Sequence, residues 1–84
     1  MRVKSPEEYE RKYIEKSFLS FIAGKRWGQK EMSIKQIIGM IRETSLRGDR
    51  LAQILFTYQD FPKDEEERQK FDSLILELRN LGYL

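Results

Sequence analysis

The chain contains neither cysteine nor histidine. Disulfide frameworks and thiolate metal centres are thereby excluded, and the commonest metal ligand and general base is missing too. A catalytic constellation would have to be assembled from Ser, Lys, Tyr and carboxylates alone, so the expectation is a protein that is not an enzyme. Long hydrophobic runs are missing as well. The longest, Phe18–Ala23, is interrupted by Ser20 and falls far short of the roughly 20 residues that span a bilayer. No membrane partner is expected. The first residues mix Lys4, Arg11 and Lys12 with Glu7, Glu8 and Glu10 and offer no small-residue cleavage site, unlike a secretory signal, so cytoplasmic residence is the default expectation. Gly24-Lys25-Arg26 lacks the earlier glycine and the hydroxyl of a phosphate-binding loop. No cofactor is expected.

What remains is a chain of 84 residues, 39% hydrophobic with ten aromatics and 36% charged. That is enough apolar material for one small core beneath a wet surface. No internal repeat or serine- and proline-rich linker divides it, so one domain over 1–84 is expected. Four segments carry helical periodicity. Ser5-Pro6-Glu7-Glu8 has capping-box spacing with proline at the first helical position, and Tyr9, Tyr13, Ile14, Phe18, Phe21 and Ile22 recur at helical steps. The first helix is predicted over 6–23, with Glu7–Arg11 and Glu8–Lys12 paired one turn apart. Ser33 with Gln36 repeats the capping-box spacing ahead of Ile34, Ile37, Ile38 and Ile41, which predicts a helix over 34–45. Gly39 inside it suggests close approach of another helix.

Gly48-Asp49 supplies a stop and a new cap before Leu51, Ile54, Leu55 and Tyr58, predicting a third helix over 50–59. After Asp60-Phe61-Pro62, an acidic first turn, Asp64–Glu67, precedes Phe71, Leu74, Ile75, Leu78 and Leu81, and Gly82 ends a fourth helix over 63–81. The acidic run lacks the glycine and spaced ligands of a calcium loop, so a solvated helix start with Asp64–Arg68 and Glu66–Lys70 pairs is expected, and no metal. The fold class is all-α: a compact four-helix domain, bundle or orthogonal array, with short loops. Tyr83-Leu84 is expected to fold back on the last helix.

Charge is unevenly placed. Residues 1–42 hold ten Lys/Arg against five Asp/Glu, and residues 43–84 hold six against nine. A basic face in the N-terminal and central part would suit a binding or regulatory module for DNA or RNA, since cations on one face displace counterions from phosphates. The candidate contacts are Lys25, Arg26, Lys30, Lys35, Arg42, Arg47 and Arg50, with Trp27 for base stacking. Trp27 also has a plainer role, closing the core beneath the basic Lys25–Lys30 loop. The second and third helices invite comparison with a helix-turn-helix whose second helix would present Arg50, Gln53 and Thr57, although Glu43, Thr44 and Arg47 are unlike the residues that motif prefers near its turn. The alternative is a protein partner, or a second copy of the chain, docked on Tyr9, Tyr13, Phe56 and Phe61.

Overall fold

The computed structural model describes residues 6–28 and 30–84. The Ser5 cap and Gln29 of the basic loop lie outside the described residues. Four helices follow one another as α1 (Pro6–Ala23), α2 (Ile34–Arg42), α3 (Asp49–Thr57) and α4 (Glu65–Asn80), with no strand among the described residues. The chain is an all-α, four-helix structure.

The longest helix, α1, organises the others. Ile14, Phe18, Phe21 and Ile22 recur at i, i+4, i+7 and i+8, so they fall on one side of it, and all four are buried. Phe18 is fully buried against the rings of Phe71 on α4 (5.5 Å) and Tyr58 just beyond α3 (6.2 Å). Around this row gather Ile37 and Ile41 of α2, Leu51, Ile54 and Leu55 of α3, and Leu74 and Leu78 of α4. Each of α2, α3 and α4 packs on α1, and α2 also meets α4, but the backbones of α2 and α3 come nowhere within 8 Å of each other. An up-and-down bundle would pack each helix on its sequence neighbour. Here α1 is the shared centre.

The ends of the helices follow from local chemistry. Ser33 accepts the amide of Gln36 and Gln36 returns a bond to the amide of Ser33, completing the expected capping box. Asp64 is the N-cap of α4, accepting from the Glu67 amide at 2.9 Å, and so precedes the helix it was expected to sit within. Gly82, at φ +85°, closes α4 in a Schellman arrangement: the Tyr83 amide donates to Leu78 and the Gly82 amide to Arg79. Tyr83 and Leu84 then pack against the core, with Tyr83 meeting Arg42 and Arg47. The Tyr83 carbonyl also accepts from the Gly48 amide at 2.7 Å, tying the chain end to the α2–α3 connection.

Several expectations need correction. α2 stops at Arg42, short of residue 45, because Thr44 turns its hydroxyl back onto the Ile41 carbonyl and Leu46 dives into the core. Gly39 meets nothing where a Cβ would stand, so it is not a packing glycine. The close approach is at Gly24, whose Cβ would come within 2.8 Å of the Ser20 carbonyl oxygen and 3.1 Å of that of Lys30. Three of the expected pairs give way to other contacts: Arg11 pairs with Glu15 one turn on and Glu7 with Arg50, Lys70 pairs with Glu31, and Arg68 donates to the Gln59 carbonyl. Glu67 is not a solvated acid. It is buried, accepting from the Lys63 amide at 2.9 Å and from Arg26 at 3.2 Å. Leu81, placed on the apolar face of α4, is instead exposed.

Candidate nucleic-acid interface

Because α1 buries one side, the rotation of the helix settles what faces outward. At 100° per residue, Tyr9, Lys12, Tyr13, Lys16 and Ser20 fall within an arc of about 100°, opposite the Phe18 row. Tyr9 is 71% exposed, Lys12 and Lys16 are exposed, and Tyr13 is half-buried. Two shallow depressions run along this face. One, about 270 Å³, is lined by Tyr9, Lys12, Tyr13 and Lys16; the next, about 430 Å³, shares both lysines and adds Glu15, Leu19, Ser20 and Trp27. A third, of about 320 Å³, begins at Tyr9 and Tyr13 and is closed by Glu10, Glu43 and Thr44. The track is thus basic and aromatic along α1, with Glu15 among its lining and Glu10 and Glu43 beside its tyrosines.

Trp27 stands at the far end of that track. It is held by a T-shaped contact with Phe61, 5.6 Å between centroids, yet stays 46% exposed. It therefore does not close the core, contrary to the plainer expectation. Phe61 also carries the Arg26 guanidinium 4.6 Å above its ring. That guanidinium reaches the buried carboxylate of Glu67, so Arg26 balances an internal charge and anchors the loop.

The other sequence-derived candidates are scattered. Lys25 pairs with Glu31 at 3.6 Å, and Glu31 is shared with Lys70; the Lys70 hydrogen bond and the two positive charges hold the Glu31 carboxyl below its usual pKa. Lys30 is exposed at the end of the loop. Lys35 and Arg42 lie on α2 beside a groove of about 390 Å³ whose other walls are Ile38, Gly39, Glu77 and Leu81. Arg50 pairs with Glu7 at 3.2 Å.

Arg47 is held in the deepest role. Its guanidinium donates to the carbonyls of Ile41, Thr44, Leu46 and Arg42 and stacks 4.4 Å from the Tyr83 ring, while Arg42 donates to the Tyr83 hydroxyl. Ile41 and Arg42 belong to the last turn of α2, where a helix leaves carbonyls without intrahelical partners, and Thr44 and Leu46 lie in the connection that follows. Beside this corner, Glu10 accepts both the hydroxyl and the amide of Ser45, which lowers its carboxyl pKa.

The helix-turn-helix comparison also fails geometrically. Its two helices should pack closely on each other, whereas no Cα of α2 comes within 8 Å of one of α3. The Thr57 hydroxyl is bonded to the Gln53 carbonyl within α3, and Arg50 is paired. Of the expected docking aromatics, Tyr9 and Phe56 are exposed, whereas Tyr13 and Phe61 are half-buried, with the Tyr13 hydroxyl donating to Glu43 at 3.4 Å. Burial and the Glu43 charge raise the Tyr13 pKa.

Of the eight predicted contacts, only Trp27 lines the depressions along α1; Lys12 and Lys16, which line the same one, and Tyr9 and Tyr13, which line the next, are not among those eight. The signal was present in the sequence: two lysines and two tyrosines, each pair four apart, on the side of α1 away from Phe18. The chain matches no family model, no curated protein and no solved structure. No described helix is long and apolar enough to cross a membrane.

Proposed function

We propose that this chain is a non-enzymatic module that binds nucleic acid through the outer face of α1 and Trp27. One observation carries the reading: Lys12 and Lys16 alternate with Tyr9 and Tyr13 along a continuous exposed track that ends at a half-exposed tryptophan. Phosphates need mobile cations, and bases need aromatic surface. This face supplies both along one side of α1. Lys30, exposed in the neighbouring loop, extends the positive field, while Arg26 and Arg47 support the fold that holds the face in place. The absence of histidine and cysteine favours binding over chemistry.

The sole tryptophan makes the test direct. Titrating the protein with mixed-sequence DNA or RNA at low salt should change Trp27 emission saturably, and raising the salt should reverse the change. Unchanged emission at low salt, with the helical signal intact, would overturn the reading.

A protein partner is the second reading, favoured by Phe56 on α3 and by Leu76 and Leu81 at the far end of α4, which are 41%, 60% and 46% exposed. It predicts association that survives moderate salt and leaves the α1 lysines irrelevant.

A further inference from the structure

Resting on that reading, we infer that the α1 face takes a single strand with unstacked bases and not a duplex. The aromatic groups decide between them. In a duplex every base face is covered by its neighbours, and only phosphates, sugars and groove edges are offered. Tyr9, 71% exposed, and Trp27, 46% exposed, would then have nothing to stack on. An unstacked strand offers a ring face at each step, and its phosphates fall to Lys12 and Lys16.

Spacing points the same way. Tyr9 and Tyr13, like Lys12 and Lys16, stand one helical turn apart, about 5–6 Å between Cβ atoms. Stacked nucleotides rise about 3.4 Å per step in each strand. Successive bases can meet both positions only if they are splayed apart. The outer α1 face also carries no Arg, Asn or Gln at positions 9, 12, 13, 16 or 20, which leaves Lys12, Lys16 and Ser20 as its only groups able to reach a base edge. Stacking on aromatic rings, which every base can supply, makes binding at this face largely tolerant of sequence. The one motif that would have argued for a duplex is lost with the separation of α2 from α3. Glu10 and Glu43 flank the two tyrosines on one side and repel phosphate there, so the phosphates fall on the side of Lys12 and Lys16.

The experiment measures fluorescence anisotropy of a labelled oligo(dT) of about a dozen nucleotides, long enough for one compact binding site. Competitors are the unlabelled single strand, its oligo(U) counterpart and a blunt oligo(dT)·oligo(dA) duplex. Both single strands should compete at least about tenfold better than the duplex. Tyr9→Leu should weaken binding by about tenfold or more, as loss of one base stack does, while Tyr9→Phe stays within about twofold. Tyr9 is so exposed that neither variant threatens the fold, and Trp27→Leu with Trp27→Phe repeats the comparison at the other end. Equal or stronger competition by the duplex overturns the inference but leaves nucleic-acid binding standing. So does wild-type affinity in both leucine variants when Lys12→Glu/Lys16→Glu no longer binds, since the face would then act by charge alone. If no oligonucleotide binds at low salt, the underlying reading falls with the inference, and a protein partner takes its place.

Discussion

Two basic regions of this chain look alike in sequence and behave oppositely in structure. At the corner between α2 and α3, Arg47 is bound to backbone carbonyls and stacked on Tyr83, and Arg42 donates to the Tyr83 hydroxyl. Along the outer side of α1, Lys12 and Lys16 extend from a helix whose opposite side is buried. Arginine suits the first setting because its planar fork reaches several acceptors at once and its flat face stacks on a ring; lysine, a strongly hydrated point charge on a flexible stem, suits the second. A count of positive charges therefore overstates the binding surface. Cations that hold the fold together are unavailable to a ligand.

The sharpest way to break that contrast is at Arg47. Arg47→Ala strips the partners from the end of α2 and loosens the chain terminus, so it should destabilise the protein by about 2–4 kcal/mol in a denaturant titration. Arg47→Lys should recover only part of that. A loss below about 0.5 kcal/mol for Arg47→Ala would mean that the corner is as dispensable as ordinary surface. A smaller effect sharpens the comparison between the two glycines. Gly39→Ala should raise stability by about 0.5–1 kcal/mol, since its Cβ meets open space and alanine favours the helix. Gly24→Ala should lower it, because its Cβ would crowd the Ser20 carbonyl. Thermal melts of the two variants should shift in opposite directions.

Much of the fold was legible because it is local. The capping box at Ser33 and Gln36, the isoleucine stripe of α2 and the Gly82 stop each depend on residues within a turn of one another, and each appears where the spacing put it. What could not be read is what distance in sequence conceals. Arg26 and Glu67 are 41 positions apart and meet across the fold. The Arg47–Tyr83 stack depends on where α4 delivers the chain end, and the Glu10–Ser45 bonds depend on α1 lying against the α2–α3 connection. The same limit governs the site. The basic loop Lys25–Lys30 stood out because its charges are adjacent in sequence, whereas the α1 face assembles only once the Phe18 row has chosen which side goes inward. Tyr9 and Tyr13 were counted with the apolar stripe of α1, yet they lie near the opposite side, one fully and one partly out of the core.

The central claim is that the α1 lysines are free to bind while the corner arginine is not, and charge reversal tests it most directly. Affinity for a short single-stranded oligonucleotide should be measured against salt for the wild type and for Lys12→Glu/Lys16→Glu, with a thermal melt of each. The melt should be unchanged, within about 0.5 kcal/mol, and the salt-dependent affinity should be lost. Binding that keeps its full strength and its salt slope in the doubly reversed protein would contradict it.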